Sequence, residues 1–152
     1  MQRNIRLKWF YAHPVETLWE CLTNPELLEQ WSLSSGDFKA EVGFKWMKAQ
    51  KPRPKMNWDG KMYFEVLEVV PLKKLVYSFK GGPREGVYNL DTVVTWTIAP
   101  KDNGTELVLE HTGFNGPRNL LVSFMMEMGW RNKVAKRFAK TLETLTAHGT
   151  HR

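Results

Sequence analysis

The sequence predicts an α+β fold: a curved antiparallel sheet of six or seven strands wrapped around a long C-terminal helix, with two short helices after the first strand. Three patterns predict it. Apolar and polar residues alternate with period two in several short segments between Ile5 and His111, as in half-buried strands. Two prolines, Pro14 and Pro25, introduce short apolar-faced stretches directly after the first of these segments. From about Asn119 to Ala147, apolar side chains recur at steps compatible with 3.6 residues per turn.

Each element follows from local chemistry. Ile5, Leu7, Trp9 and Tyr11 alternate with Arg6 and Lys8 to give the first strand. Pro14 suits a first helical position, where its missing N–H costs nothing. That helix should stop near Thr23, because Asn24-Pro25 supplies a fresh N-cap and first-turn proline for a second helix. Leu27, Leu28 and Trp31 form the second helix's apolar side. Phe44 and Trp46 flank Lys45 in the next strand, and Pro52 and Pro54 then place 48–57 in a loop.

From Trp58 the alternation sets Trp58, Met62, Phe64 and Val66 on one face, with Asp59, Lys61, Tyr63 and Glu65 on the other. Parity then moves to Leu67 and Val69, which predicts a bulge. After a turn at 71–74, Leu75, Tyr77 and Phe79 face inward, and Gly81-Gly82-Pro83 opens a loop reaching about Leu90. Val94, Trp96 and Ile98 form one face of the following strand. Asp102-Asn103-Gly104 predicts a hairpin in which Asn and Gly take the positive φ. Its partner strand turns Leu107, Leu109 and His111 to one side and Glu106 and Glu110 to the other. Asn115-Gly116-Pro117 ends the sheet. On the final helix Leu121, Phe124, Met125, Met128, Ala135, Phe138, Leu142 and Leu145 form a single apolar series. At about 42 Å for roughly 28 residues, this helix can cross the whole concave face.

Composition narrows the function classes. The 152 residues fit a single domain over 1–147, with a tail at 148–152. A chain 42% hydrophobic and 25% charged is a folded one rather than a disordered one. No apolar run approaches the ~20 residues of a membrane helix, and the N-terminus alternates instead of carrying a signal-peptide core. The single Cys21 excludes an internal disulfide, suits a reducing compartment and points to the cytoplasm. Net charge is +6, concentrated at Lys45–Lys55 and Arg131–Lys140, but no nucleic-acid-binding motif accompanies it, so no nucleic-acid partner is expected.

Seven Trp, eight Phe and seven Met are generous for one small domain, and a curved sheet gripping a helix leaves a hollow for such side chains to line. The candidate wall is Trp31, Trp46, Trp58, Phe64, Tyr77, Phe79, Trp96, Phe124, Met125 and Met128; the competing reading is a filled core. His111 has two readings. It orients a ligand or acts as a general base from the inward face, or it is a core histidine bonded to backbone or Tyr77. Glu110, on the opposite face, gives it no carboxylate partner, which weighs against catalysis. No metal site, phosphate loop, nucleophile elbow or cofactor motif is present, and His148 and His151 fall in the tail.

Pro14-x3-Leu18-Trp19, followed by Asn24-Pro25-x-Leu27-Leu28-x2-Trp31, resembles the opening motif of the activator of heat-shock protein 90 ATPase homologue (AHSA-type) family, within the START-like, or SRPBCC, superfamily. Further matches are Val42-Gly43, Leu67-Glu68-Val69-Val70-Pro71, Gly104-Thr105, His111-Thr112-Gly113-Phe114 and Gly129-Trp130. The chain departs at Phe44, where relatives tend to carry a second glycine; the larger side chain would narrow the cavity or alter the strand twist. The resemblance implies a helix-grip fold with an internal apolar pocket. It leaves three functions open: a non-catalytic carrier or sensor of a small lipid-like or aromatic molecule, a chaperone partner, and a cyclase-like enzyme.

Overall fold

A computed structural model describes residues 2–31 and 37–147, so the tail with His148 and His151 lies outside the described residues. Six strands form one antiparallel sheet: β1 (Gln2–Tyr11), β2 (Lys45–Ala49), β3 (Lys61–Val70), β4 (Lys74–Gly81), β5 (Leu90–Lys101) and β6 (Gly104–Asn115). Their spatial order is β1-β6-β5-β4-β3-β2. The first strand thus pairs with the last, and the chain must travel to the far edge before β2. Helices α1 (Val15–Thr23) and α2 (Pro25–Trp31) begin that crossing.

Capping explains the helix pair. Asn24 Oδ1 accepts from the Glu26 N–H at 3.0 Å, so Asn24 ends α1 and starts α2 as its N-cap. Pro14, expected inside the first helix, is its extended N-cap residue instead. Trp31 closes α2 by donating its indole N–H to Cys21 O at 2.8 Å. Cys21 is wholly buried, and burial, followed by Glu20, pushes its thiol up to about 12, leaving it protonated and inert.

Register shifts between Arg3 and Ile5 in β1 and between Val66 and Glu68 in β3 bend the sheet. Val66 pairs with Tyr77 and Glu68 with Val76, which leaves Leu67 as the bulged residue where the apolar parity changes. β3 begins at Lys61 rather than at Trp58, because Gly60 breaks the strand with φ 88°. A Cβ there would lie 2.3 Å from Gln50 O. Trp58 instead bridges Arg53 and donates its indole N–H to Lys61 O. In the β5–β6 hairpin the positive φ falls on Asp102, at 51°, and not on Asn103 or Gly104. Gly104 is required for closeness, since a Cβ would stand 2.2 Å from Tyr11 O.

The closing helix is not continuous. α3 (Gly116–Gly129) and α4 (Ala135–Ala147) are joined by a π-helical turn, Trp130–Val134. A π turn inserts one residue and rotates the faces on either side out of phase. On an unbroken helix, Phe138 would share its face with Phe124, two heptads earlier. With the insertion its inward counterparts are Trp130 and Ser123, both buried, while Phe124 is half exposed. Leu121, Met125 and Met128 are exposed with it, so the expected single apolar face exists only in α4. There Phe138, Leu142 and Leu145 pack into the core beside Leu18, Leu22 and Trp31. Trp31 stands edge-on to Phe138 at 5.0 Å and to Trp96 at 5.6 Å. Each such pair adds about 0.5–1.5 kcal/mol beyond its buried area.

Candidate functional site

α4 packs its buried face against α1 and α2 in the core, whereas part of the concave face beneath α3 stays open. Between α3, the π turn, strands β2–β4 and the loop at 50–58 lies a cavity of about 300 Å³, the lower end of the range for small-molecule sites. Local sequence explains why it stays unfilled. The α3 positions on its wall are Arg118, Val122, Met125, Met126 and Gly129, and Gly129 contributes no side chain to fill it.

Six of the expected wall residues meet here: Trp46, Trp58, Phe64, Tyr77, Phe79 and Met125. Trp46 stacks on Phe64 at 4.9 Å with 12° between the rings, and Phe79 stands edge-on to Phe64 at 4.8 Å. The other expected wall residues lie elsewhere. Trp31 and Trp96 line only a second hollow of about 10 Å³, roughly the space of one water. Phe124 and Met128 face outward, displaced by the π turn. Phe44 packs against Phe38 and Trp46 outside the cavity lining and so does not narrow it directly.

His111 is fully buried and apart from the cavity lining. Its Nε2 lies 2.8 Å from Thr92 Oγ1 and its Nδ1 accepts from the Trp130 indole at 3.2 Å, not from backbone or Tyr77. Burial lowers its pKa from 6.5 to about 3, so the ring is neutral at physiological pH. Both nitrogens are engaged. Tyr77 does line the cavity; burial pushes its hydroxyl up to about 12, against the smaller opposing effect of the Trp96 N–H donated to it at 3.1 Å.

Several wall residues carried weak signals or none in the sequence. Met56, Met62, Met126 and Trp130 extend the apolar lining, and of these only Met62 stood on the predicted inward face. The polar wall consists of Gln50, Arg53, Asn89 and Arg118. Arg118 donates from Nε and Nη2 to Met56 O, at 3.2 and 2.6 Å, and from Nη1 to Asn119 Oδ1 at 2.7 Å. These bonds tie the 50–58 loop to the first turn of α3. Only the loop's tertiary placement brings Arg53 and Arg118 to one site.

A curved antiparallel sheet, a long closing helix and an apolar hollow between them define a START-like, helix-grip protein. The chain belongs to the family described as Activator of Hsp90 ATPase homolog 1-like protein, whose model matches residues 12–143. Protein MLL2253 from Mesorhizobium loti is 33% identical, with 96% of this chain and 98% of that one covered and a TM-score of 0.74. The AHSA1 protein from Silicibacter pomeroyi is 17% identical over 93% of this chain and 99% of its own, with a TM-score of 0.73. DynU16, a protein of the dynemicin biosynthetic locus, is 22% identical with a TM-score of 0.69; this chain, 93% covered, spans 47% of its length. At those lower identities the likeness is one of fold. No curated protein matches the chain. Among the described residues, no helix is long and apolar enough to cross a membrane.

Proposed function

We propose that this protein binds a small, largely apolar molecule in the α3 cavity and acts as a carrier or sensor without transforming it. The observation that carries the reading is a cavity of about 300 Å³ walled by stacked aromatic and thioether side chains. Apolar area withdrawn from water there contributes about 25 cal/mol per Å² before association costs. Methionines 56, 62, 125 and 126 give the wall adaptability. His111 has no free nitrogen to serve as a base, which removes the main support for a cyclase-like reaction.

A screen of neutral apolar compounds, read by tryptophan fluorescence, tests the proposal. Saturable one-to-one quenching or enhancement is expected for aromatic or medium-chain compounds. A flat response across the whole screen would discard it.

A second reading, a chaperone partner, follows the family description and has one local observation in its favour. Leu121, Phe124 and Met128 present an exposed apolar strip on α3. Stimulation of a purified Hsp90-type ATPase, abolished by replacing these residues with serine, would favour this reading over the carrier.

A further inference from the structure

Resting on the cavity as the binding site, we infer that its ligand is an anionic amphiphile: an apolar body carrying a carboxylate head that seats against Arg118. The polar side of the cavity is unbalanced. Its wall holds two guanidinium groups, Arg53 and Arg118, and no Asp or Glu. Among the described residues neither arginine belongs to an ion pair. Arg118 is partly buried, and this desolvation works against its charge, lowering its pKa. A cation without a carboxylate partner facing an apolar hollow is the arrangement that a bound anion relieves.

Hydrogen-bond inventory gives the same sign. A guanidinium has five N–H groups, and three of Arg118's are spent on Met56 O and Asn119 Oδ1, which leaves two. With Arg53 on the same wall, these N–H groups suit a ligand whose head accepts hydrogen bonds. Arg118 also sits in the first turn of α3, where the helix dipole adds partial positive charge. The aromatic floor of Trp46, Phe64 and Phe79 matches a flat apolar body.

The test compares 2-naphthoate with 2-naphthylmethanol, which share a ring system and differ in head-group charge, by calorimetric titration of the full chain. The acid is expected to bind at least tenfold more tightly than the alcohol at pH 7. In Arg118→Gln that preference should shrink severalfold, with acid and alcohol compared on the same variant and Arg53 supplying what remains, while Arg118→Lys should retain more of it. A further arm needs no variant: on the wild-type chain the preference should disappear as the pH falls below the ligand's own carboxylate pKa. Equal affinities for acid and alcohol at pH 7 would overturn the anionic class and leave the apolar carrier standing. Binding of neither compound would overturn both.

Discussion

The Trp130 indole N–H points at His111 Nδ1 across 3.2 Å, joining the π turn of the closing helix to the sheet at β6. Because Nδ1 accepts, the ring hydrogen lies on Nε2 and is donated to Thr92 Oγ1, whose own hydroxyl donates to Phe79 O at 2.7 Å. One relay thus connects the helix, two central strands and a wall residue of the cavity. Its neighbours are aromatic rings, Phe79, Phe114 and Trp130, with no charge among them.

This relay makes stability depend on pH in a definable window. His111 has a pKa of about 3 in the fold against 6.5 when free, so the unfolded chain takes up a proton that the native one refuses. The stability from this ring is present in full above pH 6.5 and is lost as the pH falls toward 3, by at most about 1.4 kcal/mol per pH unit. Urea unfolding at pH 6.5 and 5 should show the wild-type slope, and His111→Gln should flatten it. Glu127, held low chiefly by its hydrogen bond from Arg3, adds a loss of the same sign only at more acid pH. An identical slope in the variant would contradict the relay.

The π turn assigns opposite fates to two apolar side chains of the same helix. Phe138→Ala should cost about 3–5 kcal/mol, because the ring is buried against Trp31 and Tyr11. Met128→Ala should stay within about 0.5 kcal/mol, since that side chain is 63% exposed. Chemical denaturation of both variants checks the contrast, and comparable losses would place the phase change elsewhere.

Gly60 and Gly43 share a left-handed backbone, with φ of 88° and 93°, but differ in their surroundings. An alanine at 60 would also drive its Cβ into Gln50 O, whereas nothing lies within 4 Å at 43. Gly60→Ala should therefore lose more than Gly43→Ala, which carries only the ~1 kcal/mol of backbone strain. Thermal melts of the pair give the ranking. Because Gly60 anchors the 50–58 loop, its variant should also bind cavity ligands more weakly.

Gly129 offers a change in the other direction. It is an α-helical glycine on the cavity wall, and a Cβ there meets nothing within 4 Å. Gly129→Ala should stabilise the protein by about 0.5–1 kcal/mol through backbone entropy and helix propensity. A rise in the urea midpoint with an unchanged m-value is the expected reading.

Strand faces were legible in the sequence because a period of two is strict: Phe64, Tyr77, Phe79 and Trp96 all point where alternation puts them. Even the bulge at Leu67 showed as a change of parity. Helix phase was not legible in the same way. A single inserted residue near Trp130 leaves no compositional mark, yet it moved Phe124 and Met128 off the wall and brought Trp130 onto it. His111 was readable as inward-facing, but its partners Thr92 and Trp130 come from other elements. Nothing in the sequence singled out Arg118, which stands just before the predicted helix. What distinguishes it is the loop carbonyl of Met56, 62 positions away in the chain.

The most direct test of the cavity's role follows the indole N–H resonances by two-dimensional NMR while the uncharged probe 2-naphthylmethanol is added. Trp46 and Trp58, which line the cavity, should shift progressively and saturate, whereas Trp31, sealed between Phe138 and Trp96, should hold its position. Unmoved Trp46 and Trp58 signals at saturating probe would contradict the account.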